Sequence, residues 1–220
     1  GVSTIFGISY SLSYIDSGKS NIAAFLNYVV KGSPAEAAGL KRGDILMKIN
    51  GTQLTASNYT SLLSASETAT FTLGQVSGGT IVATDQTVTM TKAEVSEDPV
   101  LFSLVITKSD YGKTIGYLVY TQFVPGTEAD DVKYDNELRQ VFANFKSKGV
   151  NELVLDLRFN PGGYISSAQT LASLIGKGAS ASKIFYTEQW NDKYTTYWQK
   201  MYGTNALNYT FLNEANNIGA

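Results

Sequence analysis

The sequence lacks two residue types that many enzymes depend on: it contains no cysteine and no histidine. Disulfides, cysteine nucleophiles, a Ser-His-Asp triad and the usual zinc ligands are therefore excluded within these residues. We expect neither a metal nor a cofactor. Acidic and basic residues nearly balance, 19 against 17, and the basic ones form no long run, which argues against a nucleic-acid partner.

Long apolar runs are also absent, since no stretch of about 18 consecutive apolar residues occurs. We therefore expect no membrane span in this chain, and a signal peptide is not evident either. Serine, threonine, asparagine and tyrosine are abundant while thiols are missing. This composition is compatible with an extracytoplasmic location, in the periplasm or at the cell surface.

With 220 residues, of which 43% are hydrophobic, the chain is long enough for one or two domains. We predict two, residues 1–95 and 96–220, with the polar segment 93–100 as the break between them. The first would be a small α+β domain and the second an α/β domain.

In the first half, residues 8–14 alternate apolar and small polar side chains, the period of a half-buried strand. Ser33 and Pro34 begin a short capped helix that Gly39 ends, and Asn50-Gly51 is a strong turn signal. The remaining predicted elements are strands at 22–30, 45–49, 68–73 and 87–92, and a helix at 58–65 that Ser57 caps.

Residues 32–40 (GSPAEAAGL) and 43–51 (GDILMKING) together closely resemble a PDZ domain. By this resemblance, residues 5–8 stand where PDZ domains place their carboxylate-binding loop. A bound peptide would add as a strand beside residues 8–12, held by main-chain hydrogen bonds. The resemblance thus implies that the C-termini of protein or peptide substrates are the partners. The implied peptide-binding residues are Ile5, Phe6, Gly7, Ile8, Ser9 and Tyr10.

The second half begins with apolar runs at 101–107 and 115–123, and the turn-forming residues 109–113 between them suggest a hairpin. Apolar residues at 138, 141, 142 and 145 then predict a helix that ends at Gly149. A strand at 152–157 follows. A strand, a helix and a strand in this order predict two parallel strands, and ligands gather at the carboxyl ends of such strands.

The strand at 152–157 runs into Pro161-Gly162-Gly163, after which the apolar period becomes helical from Tyr164 to Ile175. Glycines permit positive φ and close backbone approach, and a helix N-terminus leaves N–H groups unpaired. Such a turn suits an oxygen that carries negative charge, so Gly162 and Gly163 are candidate oxyanion-hole residues. The alternative is that the turn only joins a strand to a helix. Asp156 and Arg158 share one face of the strand and could position the turn or form an ordinary ion pair.

Residues 156–163 (DLRFNPGG) resemble the tail-specific, or C-terminal-processing, serine peptidases, whose fold is similar to the Clp-protease/crotonase class. The resemblance implies a serine nucleophile and a lysine base, which we expect outside this chain. The α/β domain would then be incomplete and the chain by itself inactive. Ser180, Ser182 and Lys183 lie in a superficially similar segment that lacks a preceding strand, and we predict a loop there. We expect Ser166 and Ser167 to cap a helix or face solvent.

Two other functions stay open at this point. The chain could be a non-catalytic PDZ scaffold that binds peptides through residues 5–14. Alternatively, Gly162 and Gly163 could bind an acyl or phosphate ligand, as the crotonase resemblance suggests. The sequence leaves homo-oligomer formation open. In the last forty residues, Tyr194, Tyr197, Trp198 and Met201 fall on one helical face, which we predict to be core, with a substrate-facing lid as the alternative.

Overall fold

The computed structural model describes residues 2–108 and 112–219. The chain divides into two compact units, unit 1 ending at Asp98 and unit 2 beginning at Pro99. None of the helices within the described ranges has the length and apolar content needed to cross a bilayer.

Unit 1 is built on a sheet with the strand order β2-β3-β4-β6-β7, to which β5 adds by pairing with β4, while β1 pairs with β8. Its strands are β1 Val2–Ile5, β2 Ile8–Tyr14, β3 Ile22–Val29, β4 Ile45–Ile49, β5 Thr52–Gln53, β6 Thr68–Ser77, β7 Thr80–Thr91 and β8 Ala93–Ser96. Its helices are α1 Pro34–Ala37 and α2 Tyr59–Ser64.

Two predicted details of unit 1 need correction. The segment 93–100, predicted as a polar break between domains, contains the division between the units at Asp98, but it also begins with a strand, β8, whose one buried residue is Val95, 5% exposed. A single inward side chain was too weak a pattern to indicate a strand. Helix α2 has Asn58 as its N-terminal cap residue instead of Ser57. The Asn58 side chain is held in place because it accepts a hydrogen bond from the Thr55 N–H at 2.8 Å.

Unit 2 contains a three-stranded sheet with the order β11-β10-β9 and a small β12-β13 pair. Its strands are β9 Val100–Lys108, β10 Lys113–Tyr120, β11 Glu152–Asp156, β12 Ile184–Thr187 and β13 Asn208–Thr210. Its helices are α3 Lys133–Ser147, α4 Ile165–Ile175 and α5 Asp192–Tyr202.

The central strand β10 confirms two predictions about topology. It pairs antiparallel with β9, as the predicted hairpin requires, although turn residues 109–111 lie outside the described residues. It also pairs in parallel with β11, and α3 lies between these two strands in the chain. Leu118 and Tyr120 of β10 pack with Phe142 of α3 in the core of this unit, all with 0% exposure. The carboxyl ends of β10 and β11 therefore lie side by side.

The prediction that the aromatic face of α5 is core is wrong. Tyr194, Tyr197 and Met201 are 48%, 50% and 56% exposed, and no residue of α5 is buried. Helical spacing indicates that side chains share a face, but it does not supply the element that covers the face. None of the described elements buries it.

Candidate peptide groove and candidate oxyanion site

A groove lies along the edge of the unit 1 sheet. Strand β2 is the last strand on that side among the described residues, and α2 flanks it. The groove contains a cavity of about 470 Å³, lined by Thr4, Ile5, Phe6, Gly7, Ile8, Tyr10, Thr60, Leu63, Ser64, Lys92 and Glu97. All the predicted peptide-binding residues except Ser9 line this cavity. Ser9 is absent because successive side chains of a strand point to opposite faces.

The loop between β1 and β2 consists of Phe6 and Gly7. Their carbonyl oxygens accept hydrogen bonds from Ala35 N–H and Val30 N–H, each at 2.9 Å. Their own N–H groups have no acceptor within residues 2–108 and 112–219. Gly7 has φ +84°, and a Cβ there would collide with the Ser33 side chain. Two unpaired N–H groups are therefore held in a loop that only glycine permits.

Lys92 brings positive charge to the same end of the groove. Its ammonium donates to the Ser64 carbonyl at 3.3 Å and lies 5.2 Å from the centre of the Phe6 ring. No carboxylate pairs with it in the part of the chain that the structure describes. The nearby Glu97 accepts a hydrogen bond from the Tyr28 hydroxyl at 2.9 Å. Lys92 was not predicted from the sequence, because it stands far from the loop motif in the chain and carries no signal of its own.

The turn of unit 2 is held by Asn160. Its side-chain amide donates to the Tyr120 carbonyl at 3.0 Å, and its side-chain oxygen accepts from the Gly162 N–H at 2.8 Å. The turn following β11 is thereby attached to the carboxyl end of β10. The Gly162 N–H is occupied by this contact, so it differs from the open donor that the sequence led us to expect. Asn160 lies within the motif, but its two contacts require the neighbouring strand and could not be predicted from it.

Phe123 holds the same turn from the other side. Its N–H donates to the Gly162 carbonyl at 2.9 Å, and its carbonyl accepts from the Tyr164 N–H at 2.7 Å. Gly163 lies between these two bonds, with φ +139°, and a Cβ there would overlap the Phe123 carbonyl oxygen. The Gly163 N–H has no acceptor among the described residues, and the residue is exposed. Of the two candidate oxyanion donors, Gly163 is therefore the one with a free N–H.

Asp156 and Arg158 form an ion pair at the end of β11. The Arg158 guanidinium donates to both carboxylate oxygens, at 2.9 Å and 2.6 Å, and the Tyr117 hydroxyl donates to Oδ2 at 2.8 Å. The guanidinium holds the pKa of Asp156 far below its ordinary range, and the carboxylate raises the pKa of Arg158. The hydrogen bond to Asp156 also raises the pKa of Tyr117. These contacts fix the strand end, and none of them reaches Gly162 or Gly163.

The serines that the sequence singled out do not form a Ser/Lys pair. Ser180 and Ser182 bond to each other through their hydroxyls at 2.8 Å, and no hydrogen bond joins either hydroxyl to Lys183 among the described residues. Ser166 is exposed, as expected. The prediction for Ser167 is wrong, because Ser167 is fully buried and its hydroxyl has no hydrogen-bond partner among the described residues. The helical position of Ser167 faces the packing side of α4.

Comparison with known proteins supports both halves of this description. Residues 25–74 match the family model of a PDZ domain, and residues 114–211 match that of peptidase family S41. A carboxyl-terminal-processing protease from Picosynechococcus is 30% identical over 148 residues, 65% of this chain and 32% of that protein. The carboxy-terminal processing protease CtpA of Bacillus subtilis is 29% identical over 161 residues, 71% of this chain and 31% of that protein.

A solved structure from Bacteroides fragilis, described as an S41 protease, is 30% identical in sequence. It superposes with a TM-score of 0.70 and covers 97% of this chain and 52% of that one. The fold is thus a PDZ-like α+β domain followed by an α/β domain of the Clp-protease/crotonase-like class. The chain is a relative of the C-terminal-processing serine peptidases, and it resembles their PDZ domain and the N-terminal part of their peptidase domain. It spans about a third of the length of the curated relatives it matches.

Proposed function

We propose that this chain belongs to a serine endopeptidase that recognises the C-terminal end of a protein substrate. Unit 1 binds the end of the substrate along β2, and unit 2 supplies the Gly163 N–H to the oxyanion hole. The serine and the lysine of the catalytic pair lie outside these residues. The observation that carries the proposal is the pair of N–H groups at Phe6 and Gly7 that have no acceptor among the described residues, in a groove that also contains the Lys92 ammonium, which pairs with no carboxylate there.

The pose of the peptide follows from the edge strand. Because no described strand occupies the outer side of β2, its free N–H and C=O groups can pair with an extended peptide. A carboxylate at Phe6 and Gly7 would lie at the beginning of β2. The rest of the peptide must then run along β2 in the opposite direction, so that it adds as an antiparallel strand.

The carboxylate end is recognised by hydrogen bonds and by charge. The two N–H groups form a small anion-binding concavity, and the ammonium of Lys92 lies at the same end of the groove. A charge-assisted hydrogen bond is stronger than a neutral one. A peptide amide offers no negative charge to these groups, so the groove should favour a free C-terminus over an amidated one.

The proposed role of the turn in unit 2 rests on the difference between its glycines. Asn160 and Phe123 hold the turn from two sides, so the free N–H of Gly163 needs no rearrangement to receive a developing oxyanion. The occupied N–H of Gly162 belongs to the support of the turn. A second donor of the oxyanion hole would then come from outside the described residues, as the serine and the lysine do.

Binding of short peptides tests the role of unit 1. We would titrate the full 220-residue chain into fluorescein-labelled heptapeptides that end in alanine, valine, leucine or phenylalanine, each made as the acid and as the amide. We expect the acid form to bind about tenfold more tightly, which corresponds to one charge-assisted contact. Equal affinity for the acid and the amide, or no binding of any of the peptides, would disprove recognition of C-termini.

A fluorophosphonate reagent, which labels activated serines, tests the role of unit 2. We expect no label on the 220-residue chain, whereas a polypeptide that continues beyond Ala220 should be labelled at a serine in its added part. Label on Ser180 or Ser182 would contradict the proposed position of the nucleophile. If longer polypeptides also stay unlabelled, the peptide-binding scaffold is the better description.

We also propose an extracytoplasmic location for the protein. The lack of thiols and the surface rich in serine, threonine and asparagine support it. Fractionation of the source cells, followed by immunoblotting with an antibody against unit 1, should place the protein outside the cytoplasm. Recovery with a cytoplasmic marker enzyme would refute this part of the proposal.

A further inference from the structure

The groove of unit 1 continues beyond its first cavity. A second cavity of about 200 Å³ follows along β2, lined by Leu12, Ser13, Tyr14, Ile22, Ala56 and Tyr59. Residues of β2 and α2 line both cavities: Tyr10 and Thr60 line the first, and Leu12 and Tyr59 line the second. The two cavities therefore lie along one continuous face of β2 and α2.

We infer that the second cavity is a subsite for an apolar side chain, located four residues before the C-terminal residue of the bound peptide. The inference rests on the proposed binding of C-termini and adds a rule about substrate sequence. The lining supports it because no charged side chain takes part, and because Leu12 and Tyr14 are 37% and 49% exposed on the edge strand. Covering these side chains with an apolar group removes their surface from water.

The count of four residues follows from strand geometry. Ile8, Tyr10 and Leu12 share the face of β2 that lines the two cavities, because side chains alternate along a strand. In an antiparallel pair, residues directly opposite each other place their side chains on the same face. If the carboxylate binds at Gly7, the terminal residue lies opposite Ile8, and the fourth residue before it lies opposite Leu12.

The register also makes the neighbouring positions useful as controls. The bulge between β2 and β3 places its extra residue, Asn27, on β3, so β2 itself stays regular along the groove. Four steps along a strand span about 14 Å. The third residue before the terminus would direct its side chain to the opposite face, where Ser11 bonds to Asn27. An apolar side chain at that position should therefore gain nothing from the cavity.

The experiment varies the peptide and the protein together. The best acid heptapeptide of the first experiment is prepared with leucine at the fourth position before the terminus, with serine there, and with leucine at the third position instead. We expect the first peptide to bind the full chain about five- to tenfold more tightly than the other two. Leu12→Thr should abolish this preference, so that the leucine and serine peptides bind this variant with equal affinity. Val82→Thr is the matched control, since Val82 is also 37% exposed on a strand but lines neither cavity.

The outcomes separate this inference from the proposed function. If the acid still binds better than the amide but leucine and serine at the fourth position bind equally, the subsite is refuted and recognition of C-termini stands. A preference for leucine at the third position refutes the register. If the amides bind as tightly as the acids, the proposed function fails, and the count from the terminus fails with it. A loss of preference in Val82→Thr equal to that in Leu12→Thr would also overturn the subsite.

Discussion

The two units each contain a glycine loop that presents main-chain N–H groups, and the loops differ in how many of these groups remain free. In unit 1, the N–H groups of Phe6 and Gly7 both lack an acceptor within the ranges that the structure describes. In the turn of unit 2, the Gly162 N–H bonds to Asn160, whereas the Gly163 N–H has no acceptor within those ranges. Both loops attach their carbonyl oxygens to neighbouring segments. A glycine thus fixes where the backbone can go, while a nearby side chain decides which donors stay available.

This difference agrees with the ligands that we propose. A carboxylate has two oxygens and a full charge, so it can use two N–H groups and a cation. An oxyanion on a tetrahedral carbon is one oxygen, and in unit 2 a single N–H is held ready for it. If this comparison is right, three features matter: the close approach at each glycine, the two side-chain hydrogen bonds by which Asn160 holds the turn (the Asn160 clamp), and the charge of Lys92.

The largest effect should come from Gly163→Ala, because the added Cβ would overlap the Phe123 carbonyl oxygen. We expect a loss of about 3 kcal/mol in the free energy of unfolding of unit 2. Gly162→Ala is the matched control, with φ +108° but no atom within 4 Å of the new Cβ, and it should cost about 1 kcal/mol. Urea unfolding followed by tryptophan fluorescence measures both, since Trp190 and Trp198 lie in unit 2. Equal losses would show that the approach of Phe123 does not matter.

The same comparison can be made in unit 1. Gly7→Ala would drive a Cβ into the Ser33 side chain, and we expect a loss of about 3 kcal/mol. Gly39→Ala has a similar φ of +79° but open space around the Cβ, so it should cost about 1 kcal/mol. Far-ultraviolet circular dichroism at increasing urea concentration follows the unfolding of this sheet-rich unit. The prediction fails if Gly39→Ala proves to be the more damaging change.

The next effect concerns the clamp. Asn160→Ala removes two hydrogen bonds and leaves the Tyr120 carbonyl without this donor, so we expect unit 2 to lose about 2 kcal/mol. Asn151 provides a matched control, because its side chain also bonds to two backbone groups, at Thr114 and Gly112, but is exposed. Asn151→Ala should cost about 0.5 kcal/mol, since water replaces its contacts. Tryptophan fluorescence in urea compares the two variants, and similar losses would show that the clamp contributes no more than an exposed side chain does.

Sequence patterns predicted the elements that depend on local chemistry. Alternation located β2, the capped Ser33-Pro34 start located α1, and a strand, a helix and a strand predicted the parallel pair β10 and β11. Each of these signals lies within a few neighbouring residues. The strand β8 was not predicted, because its pairing with β1 depends on residues about ninety positions away in the chain.

The candidate sites were predictable to a smaller extent. The motif located the turn at Gly162 and Gly163, but the sequence could not show which N–H would be free, because that depends on Asn160 bonding across to β10. Lys92 follows β7 in the chain, and it lines the groove because β7 ends there. The exposure of the α5 face could not be predicted either, because helical spacing does not show whether another element packs against that face.

The charge of Lys92 should have a smaller effect than the clamp. Lys92→Met keeps the length of the side chain and its packing on Phe6 but removes the positive charge, and we expect acid peptides to bind about fivefold more weakly. Affinity for the amide peptides should not change. Lys41→Met removes the same charge from an exposed loop and should leave both affinities unaltered. Fluorescence anisotropy with the labelled heptapeptides decides, and an equal weakening of acid and amide binding would mean that Lys92 only supports the loop.

The smallest effect should be the pH dependence that Asp156 gives to unit 2. Because its folded pKa is lowered, its contribution to stability is present above the unfolded pKa of about 3.9 and is lost as the pH falls further. Arg158 is 61% exposed in its side chain, and solvent screening keeps this contribution below that of the Asn160 clamp. The difference in stability between the unaltered chain and Asp156→Asn should be constant from about pH 5 to pH 8 and shrink below about pH 4. Urea titrations at each pH measure it. A difference that persists unchanged into the acid range would mean that packing at the end of β11, and not the charge of Asp156, stabilises the approach to the turn.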